Sequence, residues 1–181
     1  MKTASDRRKA KAIIVEVVRQ SGGEFSGQTR LYKAFLLAHL FYFKDCPGFL
    51  TEWPIVHMPH GHGIEAGPDL INELEVSGTL TTRIESDGPY PETVFASDPT
   101  ENDSLLDDDD RHAIKKALAF IKGKSARELS DRIHDHSLSY KEGQSGRSLG
   151  IYIDTFPEIW INEQTDRYRE MSRDVDKIFL S

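Results

Sequence analysis

At 181 residues, with a net charge of −7 and a mean hydropathy of −0.51, the chain has the size and polarity of one soluble domain with a proper core. A single cysteine, Cys46, excludes an intramolecular disulfide, and no apolar run of secretory type follows the basic N-terminus, so the expected location is cytoplasmic. Charge is segregated: residues 1–45 hold nine Lys/Arg against four Asp/Glu, and residues 69–110 hold thirteen acids against Arg83 alone, which disfavours nucleic acid as a partner.

In chain order, Ser5 is a candidate cap for a helix running to about Gln20. Ala10, Ile13, Ile14, Val17 and Val18 form its buried stripe, and Gly22-Gly23 stops it. Glu24–Thr29 reads as a turn. The next stretch, Leu31–Phe43, is apolar or aromatic at every position except Lys33 and His39. A helix apolar on nearly all sides is either a membrane span or a buried central helix. Thirteen residues reach about 20 Å, short of a bilayer core, so this is a central helix and no membrane partner is expected. Lys33 and Lys44 fall on one line of it, which is expected to face solvent. Pro47-Gly48 then breaks the helix.

Phe49–Met58 reads as extended and Pro59–Gly63 as a loop carrying His60 and His62. Gly67-Pro68 opens a helix that Ser77-Gly78 ends. Thr79–Ile84 and Thr93–Ala96 form a hairpin about Asp87-Gly88-Pro89. Asp98–Asp110 is an acidic linker whose end, Asp107–Asp110, is a solvated start to a helix over Arg111–Lys122. Ser125-Ala126-Arg127-Glu128 is a capping box for a short helix that buries Leu129 and Ile133 and runs into His134. A loop over Tyr140–Leu149, an extended segment over Leu149–Phe156 and a last helix from about Asn162 complete the chain. The expectation is an α+β, mainly α protein. Residues 1–140 form a winged-helix-like core of helices plus a small hairpin, and 141–181 are a C-terminal extension packed on it.

Several of these stretches together resemble the Panacea (SocA-like) antitoxin domain. Lys33–His39 is similar to the family's lysine followed by a Leu-Leu-Tyr-Phe-Ala-His run. Trp53 leads into Met58–Ile64 as a tryptophan does before the family's Gly-Pro segment. Ser125, Ala126, Leu129, Ser130 and His134 are similar to its Ser-Ala-x-x-Leu-Ser helix closing on a histidine. The likeness spans roughly residues 10–140. It departs where Gly61-His62-Gly63-Ile64 replaces Gly-Pro-Val, and where the tryptophan after the late histidine is absent and Tyr140 lies nearby. The resemblance implies a non-catalytic role: binding and neutralising a toxin encoded beside it, or delivering that toxin to a protease.

The candidate partner-binding residues are Trp53, His57, His60, His62, Ser125 and His134. In one extended strand His60 and His62 would face one way and His57 the other. Zinc needs three or four converging ligands, so no metal site is assigned. His134-Asp135-His136 lacks a nucleophile or phosphate-cradling loop beside it, so no catalytic residue and no cofactor are assigned. His39 is expected to be a core histidine with one hydrogen bond. The competing functions are a winged-helix DNA-binding regulator, opposed by a recognition helix over Pro68–Val76 that offers Asp69, Asn72, Glu73 and Glu75 but no Lys or Arg, and a histidine-based metal-dependent hydrolase. The acidic middle and the last helix are the places expected to meet a partner or a second copy.

Overall fold

The computed structural model describes residues 3–42, 50–59, 61–86, 90–99 and 104–155. The Pro47-Gly48 break, the Asp87–Pro89 turn, His60, Lys44 and the helix expected from Asn162 lie outside the described residues. Helix α1, Ala4–Gln20, starts at Thr3, not Ser5: the Thr3 hydroxyl accepts from the Asp6 amide while Asp6 reaches back to the Thr3 amide. Strand β1, Glu24–Ser26, occupies what reads in the sequence as a turn. Three residues are too few to show an alternation, and pairing with a distant strand makes this one.

Helix α2, Gln28–Leu40, is the centre of the molecule, with Leu31, Ala34, Phe35, Leu36 and Ala38 fully or almost fully buried. It packs most extensively against α4, Asp108–Ile121, and also against α1 and α5, Ala126–His136. Of these, α4 lies about eighty residues away in sequence. Strands β2, Ile55–Met58, and β3, Gly61–Ile64, form a hairpin with β3 against α2. The sequence reading of Pro59–Gly63 as a loop is corrected from Gly61 on: Gly61–Ile64 is paired strand. The outer edge of β2 is covered by residues 146–149: the His57 amide donates to the Arg147 carbonyl at 2.9 Å and the Leu149 amide to the Ile55 carbonyl at 2.8 Å.

Helix α3, Gly67–Val76, has Pro68 in its first turn and is followed by strands β4, Thr81–Glu85, and β5, Glu92–Ala96. These join β1 in a three-stranded antiparallel sheet of order β1-β5-β4. The protein is thus α+β and mainly α, with two small sheets among the described residues. Asp107 caps α4 in a reciprocal box with Asp110, and Asp110 is not solvated as the run suggests: it is buried and accepts from Lys9 at 3.1 Å. Helix α6, Leu138–Lys141, overlaps the start of what reads as a loop over Tyr140–Leu149, and the boundary expected at 140/141 falls inside it. Ile151–Thr155 is a 3-10 helix, not an extended segment, seated against α6 and α2. No helix among the described residues is long and apolar enough to cross a membrane.

Candidate functional site

The β2–β3 register places His57 directly opposite His62. Cross-strand partners share a face of the sheet, so the two histidines lie on the same side, not on opposite sides as in one continuous strand. Tyr140 of α6 is stacked between His57 and His134, with ring centroids 4.1 Å apart on each side and interplanar angles of 7° and 3°. The His62 ring is tilted against Tyr140 at 5.0 Å, and the Tyr140 hydroxyl donates to the Met58 carbonyl at 3.2 Å. Four aromatic rings from two strands and two helices thus form one cluster.

Behind it, Ser137 and Ser139 fix the protonation of His62. Asp154 Oδ2 accepts from both serine hydroxyls, at 2.9 and 2.6 Å, and Oδ1 accepts from the Ser139 amide at 2.9 Å. With the Ser137 proton given to Asp154, the Ser137 oxygen can only accept from His62 Nε2, 3.0 Å away. This makes His62 the Nε2–H tautomer and leaves Nδ1 as a buried lone pair without a partner. Burial first, then the Lys33 charge, pushes the His62 pKa down to about 3, so the ring stays neutral.

Lys33 is the centre of this arrangement. The sequence places it on a solvent-facing line, and the structure corrects this: its side chain is 0% exposed, and its ammonium has no hydrogen-bond partner among the described residues. Burial pushes its pKa down to about 8. His134, also with an unpartnered Nε2, has its pKa lowered by burial and by Lys33. Both nitrogens converge on Gly61. A Cβ there would lie 2.1 Å from Lys33 Nζ and 2.5 Å from His134 Nε2, and the backbone φ of +109° favours glycine as well. A buried cation without a counter-ion is not kept for stability, and strongly shifted groups gather where proteins act on something else. The node can hold or release a proton on Lys33 next to neutral imidazoles. Among the described residues, no three His, Cys, Asp or Glu side chains are grouped as a metal site requires.

Of the residues named from sequence, His57, His62 and His134 meet here. Ser125 does not: it is an exposed cap of α5, its hydroxyl accepting from the Glu128 amide. Trp53 does not either. It is a core residue, its indole donating to the Glu65 carbonyl at 2.8 Å with the Arg7 guanidinium 5.3 Å over the ring. His60 lies outside the described residues. His39 is the expected core histidine, its Nδ1 donating to the Phe35 carbonyl at 2.8 Å. Tyr140, Ser137 and Asp154 carry no local signal. Lys33 did carry one: a helix apolar on every side has no solvent line for a lysine in its middle to occupy. Comparison of the chain with protein-family models, with curated proteins and with solved structures gives no match.

Proposed function

We propose that this protein is a non-catalytic protein-binding module of the antitoxin kind, acting in the cytoplasm on a toxin encoded beside it. What supports the reading is a convergence. The resemblance to the Panacea domain rests on three separated stretches; Lys33 from the first and His134 from the third meet at a single buried point against Gly61, in the segment where the second departs from the family's Gly-Pro-Val.

The winged-helix outline is offered as a scaffold and not as a DNA reader. Its order would be α1-β1-α2-α3-β4-β5, with the β2–β3 hairpin inserted before α3. On α3, Glu73 is bound by Arg7 and by Lys11 at 3.2 Å, and Asp69 and Asn72 are exposed. On the hairpin, Arg83 is held by Glu24 at 2.9 Å and by Glu85 at 2.8 Å. A face with no unengaged cation does not neutralise phosphates. Exposed Val76, Ile84 and Tyr90 give the same region apolar surface suited to a protein partner.

The test is co-expression with the product of the neighbouring gene. The expected result is growth inhibition by that product alone, relief when this chain is present, and co-purification of the two. A neighbouring product that is harmless and does not bind overturns the proposal.

A further inference from the structure

A concave surface of the molecule lies away from the histidine cluster, between the end of α1, β1, the start of α2 and α4. It is a groove of about 610 Å³ and continues past Gln20 and Lys115 into a second hollow of about 470 Å³ beside Asp108, Arg111 and His112. One wall is a face of α4: Lys115, Leu118, Ala119 and Lys122 stand at i, i+3, i+4 and i+7 and so share one side of the helix. The opposite wall is Phe25 with the Arg30 guanidinium 5.5 Å over its ring.

The charges in this groove do not cancel. Among the described residues, the Lys115 and Lys122 side chains make no ion pair or hydrogen bond, and Arg30 donates from Nη1 to the Ser26 carbonyl at 3.4 Å while its buried Nε has no acceptor. Glu24, which also lines the groove, is held by Arg83 at 2.9 and 3.2 Å, and because the same guanidinium also pairs with Glu85, Glu24 offsets part of the groove's positive charge. Glu92 approaches Gly27, which precedes α2, but makes no ion pair with Arg30. Asp108 stands at the far end, in the second hollow. What remains is an apolar floor between cations, in a chain whose overall charge is −7.

We propose that this groove docks a helical segment of a protein partner, bearing two carboxylates two turns apart on either side of an apolar side chain. On α4 the two lysines are separated by about 10 Å along the axis, the rise of seven residues. A partner helix with Glu at i and i+7 and Leu at i+3 or i+4 matches that spacing, its leucine over Leu118 and Ala119 and its carboxylates on Lys115 and Lys122. Such helix-in-groove recognition buries an apolar stripe and takes its specificity from the flanking charges. The inference deepens the protein-binding reading and rests on it in naming a protein as the occupant.

The experiment uses the full chain and two fluorescein-labelled helical peptides, one with the Glu–Leu–Glu pattern and one with Lys in place of both Glu, read by anisotropy at low and moderate salt. The Glu peptide is expected to bind the native chain, to weaken with salt and to lose at least tenfold in affinity for the Lys115→Glu/Lys122→Glu variant. The Lys peptide is expected to bind that variant and not the native chain. Both lysines are exposed, and an unchanged thermal melt of the variant confirms that it is folded. No binding of the Glu peptide, or equal binding to native chain and variant, overturns the proposal. A neighbouring-gene product that binds the variant as tightly as the native chain removes the groove but leaves the antitoxin reading. Peptide binding that follows the charges, with no binding of that product, does the reverse.

Discussion

Replacing Lys33 by methionine should stabilise the protein at neutral pH. The side chain is fully buried, its ammonium has no partner among the described residues, and burial pushes its pKa down from 10.5 to about 8. In the unfolded chain the same group keeps its proton to pH 10.5, so between about pH 8 and 10.5 the unfolded state binds more protons than the folded one. Stability therefore rises with pH across that window, and below pH 8 the folded state carries the whole penalty, about 3 kcal/mol. Methionine has a similar length and no charge to desolvate, and it adapts to irregular sites. At pH 7 the Lys33→Met variant should gain about 3 kcal/mol, a rise in Tm of roughly 6–12 °C for a chain of this size. The advantage should shrink as pH rises from 8 and be nearly gone by 10.5. The comparison must be variant against native at each pH, because Tyr32 and other groups titrate at the alkaline end. Urea unfolding at half-unit pH steps gives the difference directly. A variant that is less stable at pH 7, or a difference that does not change between pH 7 and 10.5, would mean that the amine has a partner and would refute the reasoning.

Gly61→Ala should destabilise by about 2–3 kcal/mol, because the methyl group falls on Lys33 Nζ and His134 Nε2 and the positive φ is strained for any side chain; urea midpoints measure it. Trp53→Phe should lower stability by about 1–2 kcal/mol through loss of the bond to the Glu65 carbonyl, whereas an exposed anchor would leave it unchanged. On the acid side, His39 and His62 are held neutral by burial, with pKa values near 4 and 3, and both protonate at about 6.5 when unfolded. Their contribution is complete above pH 6.5 and is lost as pH falls towards those values, so tryptophan fluorescence should report acid unfolding that begins below 6.5 and is smaller in a His39→Leu variant.

What the sequence made legible was local. The end of α1 at Gly22-Gly23, the start of α3 at Gly67-Pro68 and the Ser125–Glu128 capping box all depend on residues within one turn of each other. Leu31–Ala38 could be recognised as the centre of the core because burial on every side needs no knowledge of the partners. The rest depended on pairings the chain does not encode locally. β1 exists because Phe25 pairs with Phe95, seventy residues on, and the His57–His62 pairing depends on where the chain reverses. The Tyr140 stack needed the relative placement of α5, α6 and the β2–β3 hairpin, which no spacing in the sequence supplies.

The two polar side chains inside α2 show where the fold gives up stability. His39, in the last turn, is kept neutral by burial and donates from Nδ1 to the Phe35 carbonyl, leaving only its Nε2 buried without a partner among the described residues. Lys33 has no such arrangement, and Arg30, one turn before it, has a buried nitrogen without an acceptor. Arg30 also stands in the first turn of α2, at the positive end of the helix dipole, where a cation is disfavoured by a few tenths of a kcal/mol or more. The first half of the central helix thus holds two cations: Lys33, with no partner among the described residues, and Arg30, held only by the Phe25 ring and one long bond to the Ser26 carbonyl. One of them lines the open groove and the other lies under the histidine cluster. An acidic partner would lower the energy of the first directly, and Lys33→Met separates the second from it, since that variant should bind the Glu peptide as the native chain does if the groove and the node act independently.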